Sequence, residues 1–120
     1  MSKLIYMLML ILVLSCNKIK IKDEFEFYYY DTYGYCNIYF YEVPVIAGGC
    51  DSAKWDDEII VVKSNKWRCK SEQECYYIIN MALYAKDIRQ ELSSGVKGPL
   101  SQEEFLKVDP LKSSKFIGAN

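Results

Sequence analysis

Residues 24–41 read EFEFYYYDTYGYCNIYFY, a stretch rich in aromatic residues. At its start aromatic residues alternate with glutamates, which is the period-two pattern of a β-strand. Asp31 and Gly34 bound a segment with turn chemistry, after which the aromatic pattern resumes. The stretch therefore predicts a β-hairpin with strands over 24–30 and 35–41.

Two further strands are expected on the C-terminal side of this hairpin. Residues 57–63 (DEIIVVK) and 75–81 (CYYIINM) are rich in β-branched and aromatic side chains. A polar loop joins them, so we expect them to pair. Residues 43–53 contain a proline and two glycines and are predicted to be mostly loop. Trp67 is expected to pack at the edge of the domain.

The helix signals lie later in the chain. Ser101 and Glu104 form a capping-box pattern that predicts a short helix over 102–108. Residues 83–92 carry only a partial apolar stripe, so either helix or loop is compatible with them. Together the elements predict an α+β fold that is mainly β. We expect a small antiparallel sheet of about four to five strands with one or two short helices.

The N-terminus has the pattern of an export signal. Lys3 precedes an unbroken apolar run over 4–14, which is shorter than the roughly 20 residues of a membrane-spanning helix. The run ends in VLSC at 13–16, which resembles the bacterial lipobox. The resemblance implies cleavage between Ser15 and Cys16 and attachment of a lipid to Cys16. It also implies a cell-envelope protein anchored to a bacterial membrane.

This resemblance sets the expected organisation of the chain. We predict a signal peptide over 1–15, a lipidated tether over 16–23, a small β-rich domain over 24–109 and a flexible tail over 110–120. Lysines alternate with isoleucines within 18–22, so a first edge strand is the alternative to a tether. Asn17 replaces the aspartate that retains such lipoproteins in the inner membrane, which implies the outer membrane in a Gram-negative source.

Three motifs occur in an order that resembles a known group. They are WDDEIIVVK at 55–63, YYIIN at 76–80 and GPLSQEEF at 98–105. The order is similar to that of a group of small bacterial lipoproteins of unknown function. The similarity covers roughly residues 45–107, and the cysteines and the long insertion over 81–97 depart from it. The resemblance implies a fold and a location, but no active site.

The cysteines other than Cys16 predict two disulfides. An even number behind an export signal is typical of proteins that fold in an oxidising compartment. Four cysteines allow three connectivities, of which we favour Cys69–Cys75 across a short loop together with Cys36–Cys50. The alternative is a zinc site, but neither spacing matches the usual pairs of zinc ligands. No C-x-x-C redox motif is present.

Composition narrows the function classes. The chain has no histidine, so the commonest general base and zinc ligand are missing. Its net charge is −1, and no broad basic surface for nucleic acid is expected. Asp56 and Glu58 would share one face of a strand, where they could hold Ca²⁺ or catalyse hydrolysis. A solvated strand end explains the same pair, so we expect no catalytic residue, metal or cofactor.

Aromatic residues provide the best candidate for a binding face. Tyr28 and Tyr30 fall on one face of their strand, and the tyrosines of the return strand also share a face. Packing within the sheet explains part of this pattern, but one set must lie outside the core. The candidate residues are Tyr28, Tyr30, Tyr35, Tyr39, Tyr41 and Trp55.

Three function classes are compatible with these observations. The first is a non-enzymatic, membrane-anchored domain that binds an envelope protein or a peptide through its aromatic face. The second is an immunity or inhibitor lipoprotein that acts against a toxin or hydrolase. The third is an enzyme, which the missing histidine and the absence of a nucleophile motif disfavour.

Overall fold

The computed structural model describes residues 16–30, 35–46, 48–89 and 95–118. The predicted signal peptide, Ser15 and the turn at 31–34 lie outside the described residues. The chain has the α+β, mainly β architecture expected, but it forms two antiparallel sheets where one was predicted. The strands are β1 (Cys16–Lys22), β2 (Phe25–Tyr30), β3 (Tyr35–Phe40), β4 (Val43–Pro44), β5 (Ser52–Trp55), β6 (Ile59–Ser64), β7 (Cys75–Asn80), β8 (Val96–Leu100) and β9 (Ile117–Gly118). The helices are α1 (Lys66–Cys69), α2 (Met81–Arg89) and α3 (Gln102–Val108).

The first sheet has the strand order β1-β2-β3-β4. The predicted hairpin is confirmed: β2 and β3 pair antiparallel, with Phe25 opposite Phe40 and Tyr30 opposite Tyr35. Residues 16–22 form an edge strand on β2, so the strand alternative replaces the predicted tether. Exposed lysines along β1 disfavour pairing of this edge with other chains.

The second sheet has the order β8-β7-β6-β5-β9. The predicted pairing of the two aliphatic strands is confirmed, with Ile60 opposite Ile79. The prediction of loop over 43–53 is partly wrong, because β5 begins at Ser52 and pairs with β6. This strand escaped the sequence pattern because it has only four residues and includes a lysine at its centre.

The main core lies between the two sheets. In an antiparallel pair, opposite residues share a face, so alternate residues of β2 and β3 point together toward the second sheet. Their aromatic and aliphatic side chains meet the inner face of β5, β6 and β7. The buried residues of this core include Phe25, Phe27, Ile38, Phe40, Ala53, Ile60, Val62 and Ile79.

A second, smaller core covers the other face of the second sheet. Here the ring of Phe105 on α3 stacks on Tyr76, with centroids 4.2 Å apart. The predicted capping box is present: the amide of Glu104 donates to the Ser101 hydroxyl, and the Ser101 amide donates to Glu104. The hydrogen bond from the Ser101 backbone amide to the Glu104 carboxylate is the main cause that lowers the pKa of Glu104.

The prediction of a flexible tail over 110–120 is wrong for the described residues. Leu111 is buried in the second core, and Phe116 packs against the same cluster. Ile117 and Gly118 then pair with β5 as a short edge strand. The tail is ordered because the second sheet has an apolar outer face that these side chains cover.

Of the ambiguous segment over 83–92, residues 83–89 are helical because α2 spans Met81–Arg89, and residues 90–92 lie outside the described residues. Met81 of this helix is buried in the core, and Tyr84 packs against it with ring centroids 5.5 Å from Phe40 and 5.9 Å from Phe25. Burial raises the pKa of the Tyr84 hydroxyl. No helix in the described ranges is long and apolar enough to cross a membrane.

Both predicted disulfides are confirmed. Cys36–Cys50 joins β3 to the segment before β5, and the backbones of the two cysteines also exchange hydrogen bonds of 2.8 Å. Cys69–Cys75 closes the loop between α1 and β7. Two disulfides indicate folding in an oxidising, exported environment.

Candidate interaction surface

The outer face of the first sheet carries a cluster of tyrosines. In the register of β2 and β3, Tyr30 lies opposite Tyr35, and Tyr28 and Tyr39 are on the same face in neighbouring rows. This face points away from the core, whose contacts are made by the intervening residues. We call Tyr28, Tyr30, Tyr35 and Tyr39 the tyrosine face. All four were predicted as binding residues, and the structure brings them together.

The rings of the tyrosine face contact one another in pairs. Tyr28 and Tyr39 meet edge to face, with centroids 4.6 Å apart and planes at 74°. Tyr30 and Tyr35 lie 5.7 Å apart. All four side chains are half-buried, so each ring is held while part of it still faces solvent. Rigid tyrosines of this kind provide contact area at a low entropic cost.

A buried asparagine fixes the centre of this face. Asn37 lies opposite Tyr28 and is only 2% exposed. Its amide nitrogen is placed to donate to the Tyr35 hydroxyl, at 3.1 Å, and to the carbonyl of Ile46, at 3.3 Å. Its oxygen accepts from the amide of Ile38 at 2.8 Å. Because Asn37 is satisfied on both atoms, it holds Tyr35 in one place.

A charged pair between β1 and β2 borders the tyrosine face. The Lys18 ammonium lies 2.7 Å from a carboxylate oxygen of Glu26 and 5.6 Å from the centroid of the Tyr28 ring. The lysine is half exposed, so the pair adds little to stability. It nevertheless places one cation and one anion beside the rings, where a polar partner group could meet them.

Two predicted members of the binding face lie elsewhere. Trp55 packs toward the core, with its ring 5.2 Å from Phe27, because its position in β5 points it at the first sheet. Tyr41 sits in the two-residue turn with Glu42, both at positive φ, and its ring contacts Phe40. The assignment of Trp55 and Tyr41 to the face is therefore corrected.

Among the residues that the structure describes, Trp67 is the most exposed aromatic residue, and it is absent from the predicted binding face. Trp67 is 83% exposed, so it does not pack at the domain edge as predicted. It lies on α1, between the N-cap Asn65 and Lys70, which ends the helix in the left-handed region. We call residues 65–70 the Trp67 turn. Its sequence NKWRCK places three cations around a tryptophan beside a disulfide, and this pattern was the available signal.

The Trp67 turn adjoins the tyrosine face. The guanidinium of Arg68 lies 4.8 Å from the centroid of the Tyr35 ring, within the range of a cation–π contact. The same side chain donates to the carbonyl of Gly48 at 3.0 Å and lies 3.6 Å from a carboxylate oxygen of Asp51. Arg68 thus connects the Trp67 turn to the tyrosine face.

The acidic pair has a structural role. Asp56 and Glu58 do not share a strand face, because β6 begins only at Ile59. One carboxylate oxygen of Asp56 accepts from the amides of Glu58 and Ile59, at 2.8 and 2.7 Å. The bond from Glu58 is the main cause that lowers the pKa of Asp56. Among the described residues, no cluster of three metal-ligating side chains occurs.

A cavity of about 390 Å³ opens at the opposite end of the two sheets. Phe25, Phe40 and Met81 form part of its apolar wall, and Glu58 is at its margin. Lys22 crosses this margin and donates to the carbonyl of Asp57 at 3.0 Å. This cavity is separate from the tyrosine face and from the Trp67 turn.

Comparison with protein-family models, curated proteins and solved structures finds no match. The resemblance to small bacterial lipoproteins therefore stays a prediction from the three motifs and the lipobox.

Proposed function

We propose that the chain is an exported, lipid-anchored envelope protein whose domain binds a protein or peptide without catalysing a reaction. The observation that carries this proposal is the pre-assembled tyrosine face. Its four rings contact one another in two pairs, and the buried Asn37 donates to the hydroxyl of Tyr35. Tyrosine is enriched in the residues that dominate binding energy, because its ring fills a pocket while its hydroxyl finds a hydrogen bond.

The anchor is supported by the sequence and by the position of Cys16. VLSC at 13–16 has the lipobox pattern, and Cys16 is the first residue of β1. Two disulfides are consistent with export to an oxidising compartment. A lipid on Cys16 would place the tyrosine face beside the membrane, because Cys16 is in register with Tyr30.

Replacing Tyr28 and Tyr39 together by serine is expected to weaken partner binding about thirtyfold or more. The reason is that loss of two contacting rings removes a central anchor of the kind worth about 2 kcal/mol. The measurement is capture of envelope proteins from intact cells with the mature domain as bait, followed by titration of the captured protein.

Tyr41→Ser is the matched control, because Tyr41 is exposed but lies off the face. We expect this variant to retain wild-type affinity. Equal loss in both variants, or unchanged affinity in the double variant, would refute the tyrosine face as the binding surface.

A further inference from the structure

We propose that the Trp67 turn is a second membrane contact, which inserts its indole into the headgroup region of an anionic bilayer. This inference rests on the proposed lipid anchor and adds to it an orientation of the domain. The lipid proposed on Cys16 would hold the chain at the membrane without fixing the orientation of the domain, and a basic patch beside a lipid anchor strengthens membrane binding. The Trp67 turn has the composition of such a patch.

The exposure and chemistry of the turn fit the membrane interface. Trp67 projects from the surface at 83% exposure, with open grooves on both sides. Tryptophan favours this region of a bilayer because its ring is apolar and its N–H can reach water or headgroups. Its exposure leaves the whole indole available to a bilayer.

The charge of the turn favours an anionic surface. Lys66 and Lys70 flank the indole, both are exposed, and neither makes an ion pair with any residue the structure describes. Glu72 is the one acidic residue lining the same groove, so the lysines exceed it. Each lysine near an anionic membrane strengthens binding about fivefold. A neutral protein partner would not need this excess.

The Trp67 turn lies at the same end of the fold as Cys16, whose proposed lipid would enter the membrane. Cys16 is in register with Tyr30, and Tyr30 with Tyr35, so the three stand in one row across the sheet. Strand spacing puts Cys16 and Tyr35 about 10 Å apart. Arg68 then contacts the Tyr35 ring directly. One membrane plane can therefore meet both the lipid on Cys16 and the indole.

The turn is also held rigidly enough to present its tryptophan. The side-chain oxygen of Asn65 caps α1 by accepting from the backbone amide of Arg68 at 2.9 Å. The side-chain nitrogen of Asn65 donates to a carboxylate oxygen of Asp51 at 3.1 Å. The Cys69–Cys75 disulfide ties the end of the helix to β7. A fixed side chain loses little conformational entropy when it inserts.

The first experiment uses the full chain in vesicles of brominated phosphatidylcholine and phosphatidylglycerol. The chain has two tryptophans, so Trp55→Phe leaves Trp67 as the only indole. Bromine on the acyl chains quenches an indole that enters the bilayer. We expect strong quenching in Trp55→Phe. The matched control is Trp67→Phe, which leaves the core-facing Trp55 and is expected to stay unquenched.

The outcomes separate this inference from the proposed anchor. Mass analysis of the same sample reports whether Cys16 carries acyl chains. Acylated protein with an unquenched Trp67 would overturn the membrane contact and leave the anchor intact. Quenched Trp67 on a chain without acyl groups would support the contact and overturn the anchor.

A second experiment measures membrane binding by the Trp67 turn in a protein without the lipid. Every described element lies within 16–118, so a mature Cys16→Ser chain keeps the fold but lacks the lipid. We expect it to co-sediment with phosphatidylglycerol vesicles and less with pure phosphatidylcholine. Trp67→Ala should weaken this binding about tenfold, and Lys66→Glu with Lys70→Glu about thirtyfold.

Lys86→Glu with Lys97→Glu makes the same change of net charge at exposed positions on α2 and β8. This control should bind vesicles like the parent. Equal weakening by both charge pairs would mean that only net charge matters, and the contact would be rejected. It would also be rejected if Trp67→Ala reduced capture of a protein partner but left vesicle binding unchanged.

Discussion

Replacing Lys54 by methionine is expected to destabilise the domain by about 3–5 kcal/mol, because it leaves a buried carboxylate without its partner. Lys54 is 4% exposed, and its ammonium lies 2.8 Å from both a carboxylate oxygen of Asp109 and the carbonyl of Leu111. It also lies 4.8 Å from the centroid of the Phe116 ring. This cation therefore connects the second sheet to the chain after α3.

The test is urea unfolding followed by circular dichroism, with two comparison variants. Lys63→Met breaks the more exposed pair with Glu74, at 3.3 Å, and should cost no more than about 1 kcal/mol. Lys54→Met combined with Asp109→Leu removes both charges and should recover much of the loss. A loss in Lys54→Met no larger than in Lys63→Met would contradict the role of the buried pair.

Removing the Cys36–Cys50 disulfide by alanine substitution is expected to cost about 3 kcal/mol or more. The cysteines are separated by 14 positions. Closing a loop of this size lowers the conformational entropy of the unfolded chain, which stabilises the fold by about 3 kcal/mol. Both are fully buried among core residues, so their replacement also loses packing. The bond further holds the segment whose Ile46 carbonyl accepts from Asn37.

Cys69→Ala with Cys75→Ala provides the comparison. This bond spans only 6 positions, so its removal should cost about 2 kcal/mol and should mainly loosen the Trp67 turn. Thermal unfolding of both double variants measures which disulfide contributes more to stability. A larger loss for the Cys69–Cys75 pair would show that the longer loop does not dominate stability.

The local parts of the fold could be predicted from the sequence. The β2–β3 hairpin follows from aromatic alternation around a turn, and α3 from Ser101 and Glu104, whose hydrogen bonds close within four residues. The disulfide across the short loop follows from the spacing of Cys69 and Cys75. In each case the residues that decide the structure are neighbours in the chain.

The division into two sheets depends on contacts between distant residues. β5 is short and contains Lys54, whose charge predicts a surface position. In the structure Lys54 is buried because it pairs with Asp109, which lies 55 positions later in the chain. The tail is ordered for the same reason, since Leu111 and Phe116 cover a face that no local pattern reveals. Contacts between residues so far apart in the chain leave no local pattern in the sequence.

The candidate surface was predictable in part. Alternation placed Tyr28 and Tyr30 on one face, and the hairpin register brought Tyr35 and Tyr39 to them. The prediction that Trp67 packs at the edge of the domain is wrong, although tryptophan is well buried on average. Its exposure follows from α1, which lifts residues 66–69 off the end of β6, and no periodic pattern reports that geometry.

The proposed lipid anchor is tested most directly at the N-terminus of the protein recovered from bacterial membranes. Mass spectrometry of the membrane-extracted chain should show that it begins at Cys16 and carries diacylglyceryl on this residue. A Cys16→Ser chain should retain residues 1–15 and lack the lipid. An unmodified Cys16, or a wild-type chain that keeps residues 1–15, would contradict the proposed lipid anchor.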